Sequence, residues 1–248
     1  MTSTDLDAGE ARAAAHGGAV KRAYVRRIFS EIAPRYDLLN HLLSFSIDRR
    51  WRTRAIGELA WARVPDGTYL DLCAGTLDVG AQLVRERAFR GLVLGTDFAL
   101  PMLQAGLGKA PRDALAPVNG DALELPYRDD SIDGAVVAFG IRNLADLPAG
   151  LREVRRVLKP GARLVILEFS TPRSAVVRAG YHAYFHHVLP FIGGVISGHR
   201  TAYRYLPQSV ANFPVQVALA QAMRDAGFAD VSYRNLTFGV AAIHVGGK

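Results

Sequence analysis

From residue 67 to residue 170 the chain alternates short apolar runs with helical periods, and no other feature restricts its architecture as tightly. The apolar runs are "TYLDLC", "LVLGTD", "LAPVNG", "IDGAVVAF" and "ARLVILEF". Each is long enough for one strand and too short for a buried helix. Between them lie "DVGAQLVRERA", "LPMLQAGLGKA" and "LPAGLREVRRVL", whose apolar residues recur at helical spacing. A strand that reaches the next strand through a helix returns parallel to it, by a right-handed crossover. The expectation is an α/β fold: a mainly parallel sheet with helices on both faces.

The flanks depart from that rhythm. Residues 1–20 are small and polar and read as a mobile tail. Residues 21–63 are helical and rich in arginine: "VRRIFSEIA", a turn-like "PRYDLLN", then a helix around "DRRWRTRAIGELAWA". They are expected to form an N-terminal cap. Residues 171–212 are aromatic, His-rich and irregular, and are expected to form a substrate lid. A helix around "PVQVALAQAMRDAG" follows, then "FADVSYRNLTFGVAAIHVG", read as two strands around a turn near Asn235. A parallel sheet that ends in an antiparallel hairpin suits the Rossmann-like, seven-stranded fold of class I methyltransferases dependent on S-adenosylmethionine (SAM). Residues 21–248 are thus expected to form a single domain.

In an open parallel sheet, ligands bind beyond the carboxyl ends of the strands, where strand order reverses. The expected strand ends are Asp71, Asp97, Asn119–Asp121 and Phe139, around one crevice. The loop "DLCAGTLDVG" keeps Gly75 but lacks the three glycines of a dinucleotide loop. Those glycines let backbone approach a pyrophosphate. SAM has no phosphate, and carboxylates near the loop suit its sulfonium cation. Asp97 is placed to accept both ribose hydroxyls. Asp121 with the Ala122 amide is placed to read the adenine edge, and Thr76 to meet the methionyl end. Asp71 and Gly75 complete the cofactor set. Asp78 is open to a second reading, as the cap of the following helix. Cys73, the single cysteine, reads as a small buried filler, and no disulfide can form within the chain.

Two longer stretches, "YDLLNHLLSFSIDRRW" (36–51) and "RVLKPGARLVILEFS" (156–170), resemble the signatures of the ubiquinone/menaquinone biosynthesis C-methyltransferase family. "FGIRNLAD" (139–146), "AYRYLPQSVANFP" (202–214) and "RNLTFGVAAIHVG" (234–246) resemble the same family. The resemblance runs from about residue 22 to the C-terminus. It departs at Leu39, Asp48, Leu77, Ala138 and Ala162, where the family usually has Met, His, Gly, Ser and Gly. Leu77 falls inside the cofactor loop. Either the backbone there needs no positive φ, or the cofactor sits slightly further out.

The resemblance implies methyl transfer from SAM to a ring carbon of a polyprenylated quinol. It favours demethylmenaquinol, through the ending "NLTFGVAAIHVG"; the methoxy-benzoquinol step of ubiquinone synthesis is the close alternative. It carries Thr76, Asp97, Asp121 and Ala122 as cofactor contacts. Such chemistry needs a phenolate-like ring oxygen and an in-line methyl donor roughly 3 Å away, and no metal. His182, His186 and His187 lack the paired ligands of a zinc site. Arg142 and Asn143, just after the fourth strand, are the catalytic candidates. The other reading of Arg142 is an ion pair with Asp146. Tyr36, Asp37 and Tyr203 are the substrate-side candidates, on the cap and the lid, and the general base is unassigned.

The apolar segment "YHAYFHHVLPFIGGVISG" (181–198) fits a prenyl tail, and its core is too short to span a bilayer. The net charge of +7 suits anionic headgroups, with Lys21, Arg22, Arg26, Arg27, Arg49, Arg50, Arg52 and Arg54 as the contacts. A cytoplasmic enzyme on the inner surface of the membrane is expected, with a homodimer compatible with the sequence. A non-quinone phenol methyltransferase, which would not need the apolar segment, remains an alternative, and, more remotely, an RNA-binding protein or RNA methyltransferase, which the basic charge allows, or a non-catalytic SAM-binding protein. A nucleic-acid partner is not expected: base methylators often carry an Asn-Pro-Pro-aromatic motif or a catalytic cysteine pair, and this chain has neither.

Overall fold

The computed structural model describes residues 18–37, 46–172, 174–183 and 200–248. The cap opens with helix α1 (Gly18–Ile32), a 3-10 turn (Ala33–Arg35) and helix α2 (Ile47–Glu58). The alternating region gives β1 (Thr68–Leu72), α3 (Asp78–Val84), β2 (Leu92–Asp97), α4 (Leu100–Ala105), β3 (Leu115–Asn119) and β4 (Ile132–Ala138). A 3-10 turn (Ile141–Asn143), α5 (Leu147–Val157) and β5 (Leu158–Phe169) follow. The C-terminal part holds α6 (Ala175–Ala183), α7 (Arg200–Ala211), α8 (Gln216–Asp225), β6 (Ala229–Leu236), a 3-10 turn (Thr237–Gly239) and β7 (Ala241–Gly247).

The seven strands form one sheet in the order β3-β2-β1-β4-β5-β7-β6. β1 pairs in parallel with β2 and β4, β2 with β3, and β4 with β5. β7 inserts antiparallel between β5 and β6. The sheet has a core on each face. Trp51, Ala55 and Ile56 of α2 and Val79 and Leu83 of α3 cover one. Leu151, Val154 and Val157 of α5 and Leu219 and Met223 of α8 cover the other. Strand order reverses between β1 and β4, so the crevice of such a fold opens above their carboxyl ends.

The elements differ from the sequence expectation in four places. The hairpin turns at Thr237–Gly239 and not near Asn235, because Asn235 still pairs with Ala242. β5 leaves α5 directly at Leu158, so "LKPG" is strand and not loop. Within 171–212, expected to be irregular, Ala175–Ala183 and Arg200–Ala211 are helical. α1 begins at Gly18, three residues before the expected start of the cap. The rest of the proposed tail, His186, His187 and most of the apolar segment lie outside the described residues.

Candidate active site

Four strand ends meet in one crevice with an open volume of about 440 Å³. β1 contributes Leu72 and Cys73; β2 contributes Thr96, Asp97 and Phe98. The segment after β3 contributes Gly120 to Leu123, and that after β4 contributes Gly140 and Asn143 to Ala145. Arg22 of α1 lies across it.

Asp97 is fixed by its neighbours' backbone. Its Oδ2 accepts from the Gly75 amide at 2.9 Å and its Oδ1 from the Ala99 amide at 2.8 Å. Burial raises its carboxyl above the usual range, and the Ala99, Gly75 and Phe98 amides pull the other way. Each oxygen still has a lone pair for a ligand hydroxyl. The Gly75 amide reaches Asp97 because the loop turns through a positive φ of 53° at Gly75. Asp121 accepts from the Leu123 amide through Oδ1 and pairs through Oδ2 with Arg22 at 2.6 Å. Ala122 stands beside it in the crevice wall.

Thr76 does not line the crevice; its hydroxyl donates to Asp37. Asp37 also receives Lys109 at 2.5 Å, and Lys109 reaches Asp78 at 2.6 Å. Arg52 continues the chain, 2.6 Å from Asp78 and 3.3 Å from Asp48. This network ties α2, the start of α3 and the cap segment just after the 3-10 turn to the cofactor loop. Asp37, expected on the substrate side, is thus a clamp on that loop. Tyr36 packs edge-on against Phe29 and close to Gly75, on the inner side of the cap. The Tyr203 side chain lies outside the described residues.

Asp71 does not meet the crevice. It lies inside β1, 1 % exposed, and accepts from the Gly80 amide at 2.8 Å, so it braces α3 from below. Burial pushes its carboxyl up to about 7. Asp78 is the first residue of α3 and not its cap; Leu77 holds the cap position. Leu77 does adopt a positive φ, 65°, so the first reading of this departure fails. Its side chain is 2 % exposed and turns away from the crevice into the core. Gly95 of β2 makes the room: a Cβ there would collide with Leu77 Cδ2.

Arg142 pairs with Glu168 of β5 at 2.7 Å, and not with Asp146, which caps α5 through the Ala149 amide. Its Nη1 also donates to the Phe139 carbonyl, and its Nε reaches Ser209 of α7 at 3.3 Å. Both partners are buried, at 8 % and 1 % exposed. Asn143, next in sequence, faces the crevice, and its Oδ1 accepts from the Tyr205 hydroxyl of α7 at 3.2 Å. Arg52, taken from sequence as a headgroup contact, is buried between Asp48 and Asp78. Lys109, Glu168 and Ser209 escaped the sequence reading. A lone Glu closing the apolar "LVILEF" was the available signal for one of them.

The crevice is apolar at Leu72, Phe98, Ala122 and Leu144, and bears two carboxylates and no glycine-rich phosphate cradle. That chemistry fits SAM and misfits a dinucleotide. Fold and crevice together define a class I SAM-dependent methyltransferase. A solved SAM-dependent methyltransferase from Thermotoga maritima shares the fold, with a TM-score of 0.60 at 17 % identity over 90 % of this chain and 99 % of that one. The signature of the ubiE/COQ5 methyltransferase family matches residues 18–248, and the chain belongs to that family. It is 52 % identical to a demethylmenaquinone methyltransferase of Thermus thermophilus, over 89 % of this chain and all of that one. It is 44 % identical to a ubiquinone/menaquinone biosynthesis C-methyltransferase, UbiE, of Geobacter sulfurreducens, over 90 % of this chain and 88 % of that one.

Proposed function

We propose that the protein transfers the methyl group of SAM to a ring carbon of demethylmenaquinol, giving menaquinol. The observation that carries this is the strand-end crevice fitted to SAM, in a chain that matches a demethylmenaquinone methyltransferase along that protein's whole length. The name of the Geobacter sulfurreducens relative also covers ubiquinone synthesis, which makes the methoxy-benzoquinol the second substrate to try.

Asp97 holds the ribose, Asp121 and Ala122 the adenine edge, and the Gly75–Thr76 loop the methionyl end. When bound, SAM supplies an electrophilic methyl on a cationic sulfur. The residues around it orient the quinol and manage its proton. Asn143 faces the crevice with its amide steered by Tyr205 and is the group to hold a ring oxygen. Arg142 has its guanidinium on Glu168 and Ser209 and acts by fixing the turn that carries Asn143. Tyr36 and Tyr203 belong to the substrate side of the same proposal, and Asp37 to its closure.

Peripheral contact with an anionic membrane is part of this reading. A polyprenylated quinol is lipid-soluble, the net charge is +7, and Arg26, Arg27, Arg49, Arg50 and Arg54 remain exposed on α1 and α2. Among the described residues no helix is long and apolar enough to cross a membrane. The test is the mass of the quinones extracted from a deletion strain. Accumulated demethylmenaquinone supports the proposal. A normal quinone pool, with no second such enzyme in the strain, overturns it.

A further inference from the structure

C-methylation of a quinol needs somewhere for the ring hydroxyl's proton to go. At the substrate end of the crevice most titratable groups are already committed. Arg142 is spent on Glu168, and a guanidinium does not accept protons. Asn143 cannot take one. Cys73 is a thiol pushed well up by burial, and the Tyr205 phenol is pushed up to about 12 by the same cause. Asp97 and Asp121 are held by backbone amides on the nucleoside side.

One group stands apart. Helix α1 is moored over the crevice at three points: the Gly18 amide donates to the Ala145 carbonyl at 3.2 Å, Arg22 pairs with Asp121, and Lys21 Nζ donates to the Arg142 carbonyl at 2.8 Å. That carbonyl belongs to the peptide bond that leads into Asn143. Ala145, Asn143 and Arg22 all line the crevice, and the Lys21 amine is bonded to the backbone carbonyl between Arg142 and Asn143, one residue from that lining. Its neighbour Arg22 has a carboxylate; among the described residues Lys21 has none, only a carbonyl.

We propose that Lys21 is a catalytic residue: its neutral amine takes the proton of the quinol hydroxyl next to the carbon that is methylated. The inference rests on the quinol-methyltransferase reading. The O–H bond breaks and an N–H bond forms on Nζ. The electron pair left on oxygen flows through the ring and makes the new carbon–carbon bond to the methyl, whose old bonding pair leaves with sulfur. The methylated carbon then loses its hydrogen to water as a proton, and Lys21 returns the first proton to the ring oxygen. Overall one quinol and one SAM give a methylated quinol, S-adenosylhomocysteine and one proton.

The surroundings suit an amine that is partly neutral. Burial, and then the Arg142 charge, hold the Lys21 ammonium below the usual lysine range. The other charged groups facing it are few. Glu168 lies behind Arg142 and is neutralised by it, and Asp121 is neutralised by Arg22. α7 brings the Tyr205 phenol against Tyr24 of α1, α6 brings the Tyr181 phenol, raised by burial, into the same cluster, and α4 brings no titratable side chain. A bound sulfonium adds a further positive charge, in the same direction.

The test uses the full-length protein, SAM and a demethylmenaquinol in detergent micelles. Lys21→Met is expected to lower kcat about 100-fold, a usual share for general acid–base catalysis, with SAM affinity kept. Lys21→Arg keeps the cation and the Arg142 bond but cannot accept a proton, so it is expected to be similarly slow. The wild-type rate rises with pH and levels off at the Lys21 pKa. The Lys21→Met rate keeps rising as the quinol ionises by itself, so its deficit shrinks at alkaline pH. A purely structural role would leave that deficit constant. Full activity in Lys21→Arg, or a pH-independent deficit in Lys21→Met, overturns the role of Lys21. A wild-type protein that binds SAM but methylates no quinol overturns the function itself, and the two failures are distinct.

Discussion

Leu77 occupies a backbone position that favours glycine, yet exchange for glycine is expected to destabilise the protein. The left-handed backbone at φ 65° costs a non-glycine residue roughly 1–2 kcal/mol, which glycine would recover. Against this stands a side chain 2 % exposed, and truncating a buried leucine costs about 2–5 kcal/mol with its cavity. The difference is up to about 4 kcal/mol in favour of leucine, equivalent to a fall of up to roughly 16 °C in Tm for a chain of this size. Gly95 sharpens the test. In the natural protein a Cβ at Gly95 strikes Leu77 Cδ2, so Gly95→Ala is destabilising by overpacking, about 1–3 kcal/mol. With Leu77→Gly in place the same methyl enters vacated space, where its remaining neighbours, Ala74 Cβ and Leu115 Cδ1, stand at 3.5 and 3.6 Å. Gly95→Ala then becomes neutral or stabilising. Urea denaturation of the four proteins of this cycle measures the coupling, expected to exceed about 1 kcal/mol. The reasoning is refuted if Leu77→Gly is more stable than the natural protein, or if Gly95→Ala costs the same in both backgrounds.

Three further outcomes follow from the site. Asp97→Asn removes a charged acceptor of the Gly75 or Ala99 amide and is expected to weaken SAM binding by about 10–100-fold in calorimetric titration; unchanged affinity contradicts the ribose role. Asp71 holds its proton more tightly folded, at about 7, than unfolded, so its contribution to stability falls as pH rises between the two values and is level above them. Asp71→Asn keeps an acceptor for Gly80 and abolishes that slope, so the variant should gain on the natural protein by on the order of 1–3 kcal/mol from pH 5 to pH 8 in denaturation curves, and a constant difference contradicts it. Arg142→Met leaves the Glu168 carboxylate buried without its cation and is expected to cost about 3–5 kcal/mol. Adding Glu168→Gln should recover part of that in the same assay, whereas additive losses would show that the pair is not coupled.

The sheet was legible because its signal is local. Five apolar runs each became a strand of the parallel part, since strands covered on both faces read as continuous apolar stretches. The hairpin turn was misplaced because "RNLTFG" keeps strand character through Leu236, and the chain reverses at Thr237–Gly239 on three residues of positive φ, two of them not glycine. Of the candidate residues, those at strand ends were the readable ones: Asp97, Asp121, Ala122 and Asn143 all line the crevice. Asp71 was misread because a carboxylate inside β1 and one beyond it look alike in sequence, and only the Gly80 amide below it decides. The partners of Arg142 and Asp37 are far apart in the chain. Glu168, Ser209 and Lys109 meet them only once β5, α7 and the loop between α4 and β3 are placed. Lys21 was read as one of several headgroup cations, because nothing local tells a half-buried lysine from an exposed one.

The central claim is that this crevice delivers a methyl group from SAM to a quinol ring. Purified protein, incubated with methyl-labelled SAM and demethylmenaquinol, tests it by mass spectrometry of the extracted quinone. The expected result is menaquinone that carries the label on its ring, with S-adenosylhomocysteine formed in equal amount. Unlabelled demethylmenaquinone recovered intact, from protein that binds SAM, would contradict it.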